Sequence, residues 1–214
     1  LSRAGYYEKR GDTIAYNNEI RNALMNRRID VDTKLSIFST YIVGLMKKKQ
    51  ELNRVDSLFA EMLEQYPQEE PVHRLFGMYL SSRKDFSRAE EQYAIAADLA
   101  PTNPENWLQL IGLYLYQEKY AEVIRVGKRA IQYVPDQKDI YMYVAVASAQ
   151  TKSYDEALSM LETGLNYVEE NDAGTKSFFY GQMGDVYHSA GDKEKSYEMY
   201  EKAPEHIEVS FPVK

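Results

Sequence analysis

Residues of matching size and polarity recur along this chain every 34 positions. Trp107, for example, has His73 34 residues before it and Tyr141 34 residues after it. Four consecutive blocks keep this period without a gap: 36–69, 70–103, 104–137 and 138–171. A fifth block, from 177 to about 208, follows five additional residues, 172–176. A period of this length indicates one small structural unit that is repeated and stacked.

Each block has the pattern of two helices joined by a short turn. Apolar residues recur at spacings of three and four, which is typical of an amphipathic helix. Start and stop signals fall within and between the blocks: a capping box at Ser153 and Glu156, Asp85 or Ser87 before one helix, Gly191 followed by Asp192, and Asn103 before Pro104. We therefore predict two antiparallel helices of roughly 12 to 15 residues in each block.

The repeated pattern of bulky and small residues resembles the tetratricopeptide repeat (TPR) family over residues 36 to about 203. Bulky residues such as Trp107 alternate with small ones such as Gly77, Gly184 and Ala130 at fixed places. One helical hairpin cannot bury its apolar face alone, so neighbouring hairpins stack and build a superhelix with a concave groove. The expected fold is all-α, an α-solenoid of stacked antiparallel helix pairs in a TPR superhelix.

The two ends depart from the repeat. Residues 1–35 have the pattern of two helices around Gly11 and Asp12, and we interpret them as a degenerate N-terminal helical repeat. At the other end Pro204 stops the last helix, and apolar residues then alternate with polar ones through 204–214. This pattern predicts an extended tail that lies against the fifth repeat or inserts into a neighbouring molecule.

The resemblance implies that the first helix of each repeat lines the groove. The candidate partner-binding residues are Arg74, Met78, Gln109, Tyr116, Met142, Tyr143, Phe178, Gln182 and Asp185. In the first full repeat the same positions are Ile37, Thr40, Tyr41, Lys47 and Lys48. Some TPR proteins clamp a terminal carboxylate with several cations, but Arg74 is the single cation at the corresponding places. The middle of the groove is neutral, aromatic and methionine-bearing, which favours a protein or peptide partner with apolar side chains.

The sequence lacks the motifs of an enzyme. It has no cysteine, no phosphate-binding loop and no nucleophile elbow. Asp185 and His188 share a face of one predicted helix, but a metal site needs three or four ligands. We expect no catalytic site, no metal and no cofactor.

Charge and hydropathy narrow the choice of partner. Residues 61–214 carry 15 basic and 26 acidic residues, which argues against nucleic-acid binding, and no apolar run is long enough to enter a membrane as a helix.

The leading interpretation is a non-catalytic scaffold for protein–protein interaction. Two alternatives stay open: a regulatory arm of a larger enzyme or secretion machine, and a module that self-assembles into a homo-oligomer through its C-terminal repeat. Resemblance to the wider bacterial TPR group favours an extracytoplasmic site, either periplasmic or membrane-associated.

Overall fold

A computed structural model describes residues 2–47 and 53–203 of the chain. The described part forms twelve helices and contains no strand. The helices are α1 (Ser2–Lys9), α2 (Thr13–Met25), α3 (Val31–Lys47), α4 (Asn53–Gln65), α5 (Glu70–Ser82), α6 (Phe86–Leu99), α7 (Pro104–Tyr116), α8 (Tyr120–Tyr133), α9 (Lys138–Gln150), α10 (Tyr154–Leu165), α11 (Ala173–Ala190) and α12 (Lys193–Glu201). They follow one another in pairs, which confirms the predicted all-α solenoid.

The helices form two compact units. Unit 1 spans 1–99 and holds α1 to α6, whereas unit 2 spans 100–214 and holds α7 to α12. The predicted tail 204–214 lies outside the described residues. The division of the chain into a degenerate first repeat and five further repeats stays a prediction.

Aromatic side chains join three helices in the core of unit 1. The ring of Phe59 in α4 lies 4.5 Å from that of Phe38 in α3 and 4.3 Å from that of Phe76 in α5. Phe38 and Phe59 are fully buried. Burying an aromatic ring of this size stabilises the fold by about 2 to 3 kcal/mol, so these contacts hold each helix pair against the next.

One core cluster of unit 2 is built mostly from aliphatic and methionine side chains. It joins α9, α10 and α11 through these buried residues: Met142, Ala145, Ala157, Leu161, Val168, Phe179, Met183 and Val186. Alanines in this set let the helix backbones approach, while methionines fill the irregular gaps between them.

A hydrogen bond with the 34-residue period ties the first helix of three pairs to the loop before it. In each case a polar-tipped ring contacts the carbonyl oxygen of a proline six residues earlier. The three contacts are His73 Nε2 with the Pro67 oxygen (3.1 Å), Trp107 Nε1 with the Pro101 oxygen (2.7 Å) and Tyr141 Oη with the Pro135 oxygen (2.8 Å). The large ring with a polar atom at this position of the repeat thus has the same hydrogen-bond partner, a proline carbonyl, in all three pairs.

Two glycines receive tyrosine rings from the second helix of their own pair. A Cβ atom on Gly77 would lie 2.7 Å from the ring of Tyr93, and one on Gly184 would lie 2.5 Å from the ring of Tyr200. Both distances are shorter than van der Waals contact, so the close approach requires glycine at these places. The small residues that the sequence places in the first helix therefore make room for rings from the second.

Most of the predicted helix ends agree with the structure. The Asn103 side chain accepts a hydrogen bond from the Glu105 backbone N–H, and Asp192 accepts one from that of Lys195. Gly191 has φ +88°, the left-handed conformation that glycine adopts without strain. These three signals are confirmed.

The predicted capping box at Ser153 is wrong. Ser153 precedes α10, but its side chain makes no hydrogen bond to the backbone of the helix. The Glu156 carboxylate instead accepts a hydrogen bond from Ser148 in α9 and pairs with Lys128 in α8. Contacts with the preceding helices therefore replace the local contact that the motif would provide.

The buried face of α3 is one residue out of the predicted phase. Its buried residues precede their counterparts in α5 by 35 positions, whereas those of α4 precede their counterparts in α6 by 34. The α3 and α5 pairs are Ile37 with Val72, Phe38 with His73, and Tyr41 with Phe76. The α4 and α6 pairs are Val55 with Ala89 and Phe59 with Tyr93. The spacing from the buried positions of α3 to those of α4 is therefore one residue longer than the corresponding spacing from α5 to α6.

Candidate functional site

The candidate site in unit 2 is the side of α7, α9 and α11, the first helices of its three pairs. We call this side the first-helix face. It consists of Glu105, Gln109 and Tyr116 on α7, Asp139, Tyr143, Val146 and Gln150 on α9, and Phe178, Gln182 and Asp185 on α11. Within each helix these residues recur at spacings of three, four or seven, so they share one side of the helix. Helices α7 and α9 are in contact.

A notch of about 160 Å³ opens on this face where α9 and α11 meet. Its walls are Ala145, Val146, Ala149, Gln150, Leu161, Gln182, Asp185, Val186 and Ser189. Two of these residues, Ala145 and Ala149, have the short side chain of alanine. The structure thus brings two of the predicted site residues, Gln182 and Asp185, to one concave place.

Asp185 is held in position by two neighbours. Tyr200 Oη donates a hydrogen bond of 2.7 Å to one carboxylate oxygen, and Gln182 Nε2 donates a longer one, 3.4 Å, to the other. Burial and the hydrogen bond to Asp185 raise the pKa of Tyr200 to about 12. Tyr200 therefore stays a neutral donor across the physiological range, and the carboxylate keeps its acceptor capacity for another group.

The exposed aromatic residues of this face are Tyr116 and Phe178. Tyr116 is 69% exposed at the end of α7, and Phe178 is 42% exposed near the start of α11. Gln109 and Tyr143 are half-buried, and Gln109 donates a hydrogen bond of 2.6 Å to Glu105 one turn earlier. Tyrosine and phenylalanine are enriched at the cores of protein interfaces, and tyrosine is among the residues that contribute most of the binding energy there.

Met142 does not belong to this face. It is 5% exposed and packs in the core with Leu161 and Phe179. Helix α9 lies between other helices and buries most of its circumference, so the position that the sequence assigns to the groove is turned inward here. The structure does not support Met142 as a contact residue.

In unit 1 the corresponding side of α3 and α5 is apolar and partly methionine. Met78 is 45% exposed, while the predicted Arg74 is half-buried and pairs with Glu70 at 2.9 Å. The sequence analysis missed Val43 and Met46 of α3, which are 49% and 41% exposed. The buried positions of α3 and α5 are 35 residues apart, and the residue 35 positions before the exposed Met78 is Val43.

The same change of phase corrects two predicted groove residues of α3. Ile37 and Tyr41 are buried rather than exposed to a partner, since they occupy core positions of the helix. Thr40 is exposed and donates a hydrogen bond to the Ser36 carbonyl, and Lys47 is exposed at the end of the helix. Lys48 lies outside the described residues.

Comparison with solved structures identifies the architecture. The chain superposes on MamA with a TM-score of 0.63 and 16% identity, covering 83% of this chain and 97% of that one. It superposes on YrrB, a TPR protein with an unusual peptide-binding site, with a TM-score of 0.59 and 18% identity, covering 80% of this chain and 87% of that one. It superposes on BtubC (BKLC) from P. vanneervenii with a TM-score of 0.64 and 17% identity, covering 100% of this chain and 94% of that one.

The chain has the tetratricopeptide repeat fold. No family model matches the sequence, and no curated protein matches it either. Identities of 16 to 18% with other TPR structures show a shared fold, and they leave the partner to be argued from the residues of this chain.

A second and larger cavity, about 670 Å³, lies on the last TPR helix pair. Its lining residues are Asp185, His188, Ser189, Lys193, Ser196, Tyr197 and Tyr200. Tyr197 is 70% exposed at its edge. Within the described residues, no group of three or more acidic or histidine side chains is arranged to hold a metal ion, although Asp185 and His188 both line this cavity.

The helices of this TPR array are unlike membrane spans. Across residues 2–47 and 53–203, none combines the length with the apolar character that crossing a bilayer requires.

Proposed function

We propose that this chain is a non-catalytic scaffold that binds a peptide or protein partner on the first-helix face, in the concave groove of its TPR superhelix. The observation that carries the proposal is the exposure of Tyr116 on the same set of helices that forms the alanine-floored notch. An exposed aromatic ring contributes binding energy when a partner covers it. A notch next to fixed polar groups determines which residue of the bound peptide lies at that place.

Two further observations support a partner on this face. Asp185 and Gln182 present fixed acceptor and amide groups at the notch, so that a bound chain could be oriented by hydrogen bonds. YrrB, which shares the fold, is described as having a peptide-binding site.

The test is affinity capture with the protein and with a Tyr116→Ala, Tyr143→Ala double variant. Truncating a central aromatic residue of an interface costs about 2 kcal/mol, or roughly a thirtyfold loss of affinity. Tyr6→Ala is the control, because Tyr6 is also an exposed tyrosine (53%) but lies on α1, outside both the first-helix face and the last helix pair. Capture that survives the double variant unchanged would remove the first-helix face from the proposal.

The larger cavity favours a second candidate function, self-association through the last helix pair. Tyr197 borders this cavity, and 70% of its surface is exposed. Light scattering over a concentration series should then show a mass that rises with concentration in the native protein and not in Tyr197→Ala. A constant mass in both would exclude this candidate, and the Tyr116→Ala variant should associate like the native protein.

We also propose an extracytoplasmic location and no affinity for nucleic acid. The proposed location rests on the resemblance to bacterial TPR proteins. The proposed lack of affinity for nucleic acid rests on the excess of acidic over basic residues in 61–214. Cell fractionation tests the first and a gel-shift measurement with duplex DNA tests the second.

A further inference from the structure

The first-helix face of unit 2 carries three carboxylates, and one of them, Asp185, also borders the larger cavity that Lys193 and His188 line. Glu105 and Asp139 are exposed in the first turns of α7 and α9, and Asp185 lies at the notch. Among the described residues none of the three forms an ion pair. Other acidic residues of unit 2 do: Glu122 pairs with Arg125, and Glu156 with Lys128.

The same face holds no lysine and no arginine. Its other residues are Gln109, Tyr116, Tyr143, Val146, Gln150, Phe178 and Gln182. Exposed carboxylates on a face with no lysine or arginine favour a cationic partner over an acidic one.

The notch has a shape that suits a long basic side chain. Ala145, Val146 and Ala149 form apolar walls, and Asp185 also lines this notch. A lysine or arginine buries its methylene stem along apolar surface and keeps its charged head near polar groups. One Asp185 oxygen accepts only the 3.4 Å bond from Gln182, so it has lone pairs left for an ammonium or guanidinium group.

From these observations we infer that the partner is a cationic peptide segment, in which a lysine or arginine enters the notch toward Asp185 while apolar residues cover Tyr116. The inference rests on the proposed function, since it describes the partner of the same face. It is the reverse of a terminal-carboxylate clamp, which would need several cations where this face has acidic and neutral groups.

The experiment is a selection of random peptides, about 12 residues long, displayed on phage and captured by the purified chain. Selected peptides are then synthesised with a fluorescent label, and their affinities are measured by anisotropy at about 50 mM and about 500 mM NaCl. The variants are Glu105→Gln with Asp139→Asn, and separately Asp185→Asn, which keeps an oxygen to accept the Tyr200 hydrogen bond. The control is Asp155→Asn with Glu162→Gln, which removes two exposed charges from α10, a second helix.

We expect the selected peptides to be enriched in lysine and arginine. Their affinity should fall about tenfold in the Glu105, Asp139 variant and about tenfold in Asp185→Asn at low salt, while the α10 control changes it less than about twofold. The differences should shrink at high salt, because screening weakens exposed charge interactions.

The possible failures separate the two proposals. Selected peptides that are neutral or acidic, yet lose binding in the Tyr116→Ala, Tyr143→Ala variant, overturn the cationic inference and leave the proposed function standing. Peptides that bind the aromatic variant as well as the native chain, or no enrichment at all, overturn both. An equal loss in the α10 control assigns the effect to net charge, and that result also overturns the inference.

Discussion

Tyr66→Phe removes the hydroxyl that accepts a hydrogen bond from the buried ammonium of Lys34, and we expect it to destabilise unit 1. Lys34 in α3 is fully buried, and its Nζ donates to Tyr66 Oη at 2.5 Å. The same nitrogen lies 4.4 Å from the centre of the Tyr66 ring, a cation–π contact that phenylalanine would keep. The substitution therefore isolates the hydrogen bond.

The magnitude follows from the burial of the charge. A hydrogen bond to a charged group contributes about 1.5 to 3 kcal/mol, and a buried donor that loses its acceptor also keeps its full cost of desolvation. We expect a loss of about 2 kcal/mol in the free energy of unfolding. For a chain of this size that loss lowers the melting temperature by roughly 4 to 8 °C.

Lys34→Met should be much less damaging than Tyr66→Phe. It removes the buried charge and replaces it with an apolar chain of similar length, and a half-buried Tyr66 hydroxyl can bond to water instead. We expect a change within about 1 kcal/mol in either direction. The double variant should be more stable than Tyr66→Phe alone, since no charge is then left without its acceptor.

Urea unfolding followed by far-UV circular dichroism measures all three variants. Tyr197→Phe, which removes an exposed hydroxyl, is the control and should leave stability unchanged. The reasoning fails if Tyr66→Phe is as stable as the native chain, or if Lys34→Met destabilises as much as Tyr66→Phe does.

Three further predictions concern unit 2. Gly184→Ala should lower the free energy of unfolding by about 1 to 3 kcal/mol, because the new methyl group would overlap the Tyr200 ring, and the loss is measured by thermal melting. Gly112→Ala, in the interior of α7 with no atom within 4 Å of the added carbon, should raise stability by about 0.5 to 1 kcal/mol in the same assay; a loss there would mean that the glycine is needed. The hydrogen bond and ion pair with Lys128 lower the pKa of Glu156 below its ordinary value of 4.5, although burial acts in the opposite direction. The ion pair therefore stabilises the fold above pH 4.5, and this stabilisation is lost as the pH falls through the lower pKa of the folded state. Acid unfolding of Glu156→Gln should therefore depend less on pH in that window, and an unchanged pH dependence would contradict the assignment.

Local signals in the sequence predicted most of the helix ends. Asn103, Asp192 and Gly191 act through side-chain or backbone contacts within a few residues, and these contacts form wherever the helix forms. Ser153 is the exception, because its partner Glu156 makes stronger contacts with Lys128 and Ser148 from preceding helices. A capping box is reliable only where no charged group from another helix competes for its carboxylate.

The candidate site was less predictable than the fold. Gln182 and Asp185 come together at the notch as the first-helix positions imply, but Met142 at an equivalent position is buried in the core. Val43 was not predicted because the buried and exposed positions of α3 match those of α5 at a distance of 35 residues, one more than the repeat period. Exposure at a given position depends on how closely the next helix packs, which the repeat pattern does not encode.

The sequence by itself determined that this chain is a stack of helix pairs. The 34-residue period, the apolar spacing of three and four, and the glycines that receive Tyr93 and Tyr200 all express contacts within or between adjacent helices, and such contacts repeat whenever the residues repeat. Only the tertiary structure decided which side chains remain available to a partner. Exposure is set by the distance and rotation of neighbouring helices, as the buried Met142 and the shifted exposed side of α3 show.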